Sequence, residues 1–571
     1  MLISSRLLYV SLLLLTSAAF GAYKDTIRHT ELANELNLRG ISVPTGSGVS
    51  VTQVEAGTVS NYLADINNSE FSGKTITARS GASGSLGHAT TVGKNLYGNT
   101  TGIAIGITQI DGYQADDFLN NNGWGTTGTP STENNPLQNH SYIGNAPSSA
   151  YTLKMDYAVD RDGFLPIAGL NNGSGTTVPT IYGSMYNGIT VGLSNGEHSR
   201  GGTVNDTAGR TKPEIVSDSN LTSYATPHVT AAAALLIESA GNDDNAKDQL
   251  TLKAILLAGA NKSPFPSWDQ TTNPIDDVIT SPIDDVYGAG QLDVYENHFI
   301  QQAGQQTTSS MVDERGWNLS SVSNSSSETY TINVPAGFEL RNLSALITWN
   351  RDVTRTETGG GPFKTITYTP SLANLSLSLT GAVSQSSDSP VDNIEHIWRD
   401  SSNALVSDSY TLTVASSSST STEYALAWRS ELYQDYSLWS SASFTASTPV
   451  DQRDADDDPD ADGIKNLLEQ AFGGDPEAQD LDILPISETI EDNGQSYLQI
   501  SYRKPEFENG LTYTVETVTD LNGTWSSLSS EVELISIVSE SGGFDRYTYR
   551  LVDPISATDK AFLRVEISET P

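Results

Sequence analysis

The sequence predicts an α/β domain built on a mostly parallel sheet flanked by helices, followed by a β-sandwich of jelly-roll type and a second, smaller β-domain. Three observations carry this prediction. From about residue 40 to 300, short apolar runs such as 48–54 alternate with helical stretches such as 229–237, the pattern of strands joined by crossover helices. After about residue 305, period-two segments take over: Tyr330/Ile332/Val334, Leu375/Leu377/Leu379, Tyr410/Leu412/Val414 and Tyr424/Leu426/Trp428, parted by Ser, Gly and Asn turns. A further set, Tyr497/Gln499/Ser501, Tyr513/Val515/Thr517, Tyr547/Tyr549/Leu551 and Leu563/Val565/Ile567, follows an acid-rich stretch and forms the last module. The expected divisions are 22–300, 305–430, an acidic linker at 447–480, and 481–571.

Charge narrows the function classes. The 571 residues include 69 acidic against 30 basic side chains, a net charge of −39. Nucleic acid and anionic membrane surfaces would be repelled, so both are excluded as partners, whereas cations are favoured. The absence of cysteine removes disulfides, thiol catalysis and Cys-ligated zinc.

Residues 1–21 have the layout of an export signal. Arg6 precedes the apolar run 7–16, and the small residues Ser17, Ala18, Ala19 and Gly21 follow, so cleavage is expected after Ala19 or Gly21. That places the mature chain outside the cytoplasm: secreted, periplasmic or at the cell surface. No later stretch has the roughly 20 apolar residues that a membrane span needs, and a soluble monomer is expected.

The most informative segment of the α/β domain is Thr222-Ser223-Tyr224-Ala225-Thr226-Pro227-His228-Val229, running into the small residues 231–234. A serine opening a helix lies beside unpaired N–H groups and the positive end of the dipole, where an oxyanion is stabilised. Its hydroxyl is a weak nucleophile that needs a base, usually histidine held by a carboxylate. The segment resembles the nucleophile motif of the subtilases, the subtilisin-like serine peptidases, lacking only the leading glycine. Gly87-His88-Ala89-Thr90-Thr91-Val92-Gly93 resembles that family's histidine motif, with Ala89 and Thr91 substituted and one residue fewer before the closing glycine. In Val51-Thr52-Gln53-Val54-Glu55-Ala56-Gly57, Glu55 stands where the family has aspartate. The resemblance therefore implies a subtilisin-like fold over about residues 45–300 and a Glu55-His88-Ser223 triad in the family's order of acid, histidine, serine. His228 is expected to be a packed structural residue.

The resemblance also implies an oxyanion-binding amide. Ala168-Gly169-Leu170-Asn171-Asn172-Gly173 is similar to the relevant strand end with one insertion, which makes Asn171 the candidate and Asn172 the alternative. The stretch Asn139-His140-Ser141-Tyr142-Ile143-Gly144 is similar to the family's substrate strand, so Ser141, Tyr142, Ile143 and Gly144 are expected to pair with an extended peptide. Together these imply a secreted serine endopeptidase acting on protein or peptide substrates through an acyl-enzyme. The rival expectation, raised by the glutamate and the imperfect histidine motif, is a degenerate subtilase-fold binding or adhesion protein whose β-modules carry the function.

In the acidic stretch, 458–469 fits the twelve-residue calcium loop D-x-D-x-D-G-x5-E without gaps. Asp458, Asp460 and Asp462 would supply carboxylates, Ile464 its carbonyl, Asn466 an oxygen directly or through water, and Glu469 a bidentate carboxylate, with Gly463 permitting the turn. This many flexible oxygen ligands favours Ca2+ over Mg2+. The loop resembles the calcium linkers of exported bacterial multidomain proteins.

Overall fold

Seven parallel strands form the central sheet: Ser50–Glu55 (β1), Thr75–Ala78 (β2), Gln109–Gln114 (β3), Leu137–His140 (β4), Leu165–Gly169 (β5), Ile189–Leu193 (β6) and Ile215–Ser217 (β7). Their spatial order is β7-β6-β5-β4-β1-β3-β2. This computed structural model describes residues 22–570 apart from 147, 205, 324, 360–363 and 558–560, so the expected export signal at 1–21 lies outside the described residues. Strands β5, β6 and β7 are buried along their whole length, as a sheet covered by helices on both faces requires. The helices that concern the site are His29–Leu38 (α1), Gly87–Tyr97 (α2), Ala150–Asp162 (α3), Thr222–Ser239 (α4), Gln249–Ala258 (α5) and Val294–Gln302 (α6). The α/β fold with a parallel sheet is therefore as the sequence predicts.

Helix α4 lies against the sheet through small residues, with Ala231, Ala232, Ala233 and Ala234 at most 1% exposed. At Gly169, the last residue of β5, an added Cβ would stand 2.7 Å from Thr226 Oγ1. Only a glycine lets the start of α4 approach the strand end this closely.

The β-sandwich is organised by one strand of 23 residues, Ser327–Trp349 (β8). Its first half pairs with Leu405–Ser416 (β9) and its second with Thr422–Tyr433 (β10) and Ile394–Arg399. The register shifts between Val334 and Glu339, around Pro335 and Gly337, where the strand passes from one set of partners to the other. The period-two reading holds for Tyr410, Leu412 and Val414, which are buried between less buried neighbours. It fails for β10, where Tyr424 to Ser430 are all buried. The second face of β10 is covered by α5, all ten of whose residues are buried, so the sandwich and the α/β unit share a core that includes Trp317, Leu346, Ala425 and Ala427.

The last module has a four-stranded and a two-stranded antiparallel sheet over its own core. The segment expected as a linker belongs to that core: Ile464, Ala471 and Phe472, from the loop and the helix Asn466–Phe472 (α7), pack against Tyr502 and Tyr513. Among the described residues, no helix is long and apolar enough to cross a membrane.

Candidate active site

The three residues picked from the sequence meet at the carboxyl end of the parallel sheet, where loops from several strands converge. Glu55 ends β1, His88 stands in the first turn of α2, and Ser223 opens α4. The His88 Nδ1 atom is 2.7 Å from Glu55 Oε2, and its Nε2 atom is 2.9 Å from Ser223 Oγ. Glu55 is 1% exposed, whereas the His88 side chain keeps 34% of its surface open. Glu55 is thus sealed, whereas the His88 ring is open to solvent.

Electrostatics distinguish His88 from the other histidines. Its hydrogen bond to Glu55 raises its pKa above the ordinary imidazole value, against the opposing effect of burial. Burial pushes the other six down: His140 and His228 to about 3, His29, His198 and His298 to about 4, and His396 well below its usual value. Among the described residues, only His88 pairs a solvent-facing ring with a carboxylate partner. His228 is a packed residue, bonded to Ser217 Oγ at 3.0 Å and stacked on Tyr23. Burial raises the Glu55 pKa, and the hydrogen bonds from His88 and Gln53 oppose the rise.

Pro227 and Ser141 together set the backbone at Ser223. Pro227 has no N–H for the carbonyl of Ser223 one turn earlier, so that carbonyl is free of its helical partner. It accepts instead from Ser141 Oγ at 2.9 Å, which ties the segment after β4 to α4. Among the described residues no acceptor takes the backbone N–H of Ser223, the second residue of α4 and one of the orphan donors expected at a helix start.

The two candidate oxyanion asparagines, Asn171 and Asn172, are held differently. Asn171 is engaged through its backbone with Ser199, accepting from the Ser199 N–H and donating to the Ser199 Oγ. Asn172 reaches the start of α4: its Oδ1 accepts from the Thr222 N–H at 2.9 Å and from Thr222 Oγ1 at 3.2 Å. Its oxygen is thus committed to the helix start, and the residue is exposed.

Of the four predicted substrate residues, Ser141 touches the nucleophile residue as described, and Ile143 is 43% exposed. Gly144 accepts from the Ile181 N–H at 3.1 Å, and a Cβ on it would meet Ile181 at 2.7 Å. The Tyr142 ring packs against His140 beside the core, which leaves its main chain for a peptide. Residues 141–144 are in no strand, and among the described residues no backbone–backbone hydrogen bond engages 141–143.

The acidic loop forms a second constellation. Carboxylate oxygens of Asp458, Asp460 and Asp462 lie within 4.8 Å of one another, as do those of Asp462, Glu469 and Asp480. Glu469 is 1% exposed and neither of its oxygens has a hydrogen-bond partner, and buried oxygens of Asp458, Asp460 and Asp480 are equally unsatisfied. Burial and the neighbouring Asp480, Asp460 and Asp462 push the Glu469 carboxyl up to about 8. Unpaired buried carboxylates are costly unless a cation joins them, so this donor set fits a hard divalent ion. Asp480 is eleven residues beyond the motif and was not legible from it. The Asn466 NH2 donates to the carbonyls of Gln452 and Asp454, which leaves its buried Oδ1, the oxygen of the ligand reading, without a partner.

No protein-family model and no curated protein matches the chain. Among solved structures it is similar to a prenylagaramide maturation protease, at 19% identity over 44% of this chain and 93% of that one, TM-score 0.29. It is also similar to a cold adapted subtilisin-like serine proteinase, at 20% identity over 44% and 90%, TM-score 0.28. A third is fervidolysin from Fervidobacterium pennivorans, a keratinolytic enzyme related to subtilisin, at 13% identity over 69% and 55%, TM-score 0.33.

Proposed function

We propose that the chain is an exported subtilisin-like serine endopeptidase that uses a Glu55-His88-Ser223 triad and carries a structural Ca2+ in its acidic loop. The single observation behind the reading is the unbroken contact from Glu55 through His88 to Ser223. Three residues far apart in the chain supply acid, base and nucleophile in working order and at hydrogen-bond distances.

The steps follow from the geometry. As Ser223 Oγ attacks the peptide carbonyl carbon, its proton passes to His88 Nε2, and Glu55 holds the Nδ1–H and stabilises the imidazolium. The carbonyl oxygen becomes an oxyanion that accepts from the Asn172 NH2 and the free Ser223 N–H at the positive end of α4. His88 returns the proton to the leaving amine nitrogen, which departs and leaves the acyl group on Ser223. Water then attacks the ester with His88 again as base, and collapse releases the acid and restores the serine hydroxyl. Main-chain pairing along 141–144 would hold the substrate with little dependence on its side chains.

A fluorophosphonate probe tests this directly: labelling of the full chain is expected and is abolished in Ser223→Ala. Asn172→Ala should lower kcat by about 10²–10³, and Asn171→Ala should not. A folded chain that does not label would favour the non-catalytic binding reading.

A further inference from the structure

The His88 contact uses one oxygen of Glu55. The other, Oε1, is sealed in the interior, where a bare carboxylate oxygen is costly. It accepts at 2.8 Å from Nε2 of Gln53, a side chain that is 3% exposed. Gln53 and Glu55 stand two residues apart on β1, so the strand's period puts both on one face. The same Nε2 donates to the Ala89 carbonyl at 3.0 Å, and Gln53 Oε1 accepts from the Tyr97 hydroxyl at 2.6 Å. These three bonds fix the amide's sense. Turned over, its oxygen would face the Glu55 carboxylate and the Ala89 carbonyl.

Ala89 and Tyr97 both belong to α2, the helix that carries His88, so Gln53 braces the acid's strand against the first and last turns of the base's helix. Gly93 makes the far brace possible. A Cβ there would fall 2.6 Å from the Tyr97 hydroxyl oxygen and 2.8 Å from Cζ, so only glycine lets the ring fold back along its own helix. The titratable groups facing Glu55 are His88 and Tyr97, and burial pushes the Tyr97 hydroxyl far up, which keeps it a donor. A glutamate has one more rotatable bond than an aspartate, and this clamp removes that freedom.

We propose that Gln53, held by Tyr97 across Gly93, is a positioning residue that fixes the lengthened carboxylate against His88; the assignment rests on the hydrolase reading above. In the full chain, Gln53→Leu should lower kcat and the rate of fluorophosphonate labelling about 10- to 100-fold, with KM changed by less than about twofold. Tyr97→Phe, which keeps the packing, should lower both several-fold. In a Glu55→Ala background, Gln53→Leu should add no further loss, because both act through one carboxylate. An equal further loss in that background, or unchanged rates in both single variants, overturns the proposal. The low-field proton resonance of His88 Nδ1–H reads the same contact without turnover and is expected to weaken or vanish in Gln53→Leu. A chain that never labels but shows this loss refutes the hydrolase and keeps the Gln53 assignment; a labelling chain with an unmoved resonance refutes the assignment alone.

Discussion

Glutamate in place of aspartate adds one methylene, about 1.5 Å, in a constellation where a misplacement of about 1 Å can cost on the order of a hundredfold in rate. The structure absorbs that length: Glu55 Oε2 meets His88 at 2.7 Å while Oε1 is held by Gln53. Because His88 must be neutral to accept the serine proton, and Glu55 raises its pKa, the acid limb of kcat/KM should lie above the ordinary imidazole value of about 6.5. Below that limb the imidazole is protonated and activity is lost; above it activity is retained. Glu55→Gln removes the charge and the correct acceptor, so kcat should fall by about 10⁴ and the limb should move to lower pH. Steady-state rates across pH on one peptide substrate check both. A limb that stays in place would remove Glu55 from the mechanism.

At the scale of the element, the loop of 458–469 and helix α7 act as one unit with a chain segment the motif does not include. Asp480 comes back over the turn at Gly473, which has a φ of 73° and caps α7 in the left-handed region that glycine tolerates. Its carboxylate joins Asp462 and Glu469, and its backbone N–H donates to Asp462 Oδ2. If the unit binds Ca2+, Asp480→Ala should weaken the affinity about tenfold or more, as Asp462→Ala should. Calorimetric titration of the full chain decides this; an unchanged isotherm for Asp480→Ala would confine the site to the motif. The helix α4 illustrates the same scale at the active site, where a proline inside a helix frees one carbonyl and a serine from another strand end takes it.

Across the whole molecule, a buried and a half-buried ion pair link the units. Arg351, just past β8, bonds Asp156 of α3 at 2.5 Å and Asp206 at 2.5 Å, with its side chain 3% exposed. Asp156 also accepts from the N–H groups of Tyr186 and Asn187, so the sandwich reaches the framework beneath the sheet. At the other end, Arg39 after α1 pairs with Asp545 of the last module through two bonds, at 2.6 and 3.0 Å. Removing one partner of a buried pair leaves an uncompensated charge, so Arg351→Met should destabilise the chain by about 3–5 kcal/mol. The more exposed Arg79 and Asp111 pair offers the contrast: Arg79→Met should cost no more than about 1 kcal/mol. Urea denaturation of the two variants measures both, and equal midpoints would show that the sandwich is not held by Arg351.

By itself the sequence determined the elements with a short-range signature. The alternation of strands and helices announced the parallel sheet, and the run from Thr222 to Val229 announced the helix start that exposes Ser223, because backbone periodicity and helix-end chemistry are written in neighbouring residues. It also named Glu55 and His88, which the fold brings within 2.7 Å of each other. Only the tertiary structure shows that Asn172 reaches the start of α4, where it accepts from the Thr222 N–H, since a turn with one inserted residue can deliver either side chain. It alone joined Gln53 to Tyr97 and Asp480 to Glu469, and buried the second face of β10 under α5. Each of these depends on packing between segments far apart along the chain, and a local pattern of residues carries no record of which distant surface will meet it.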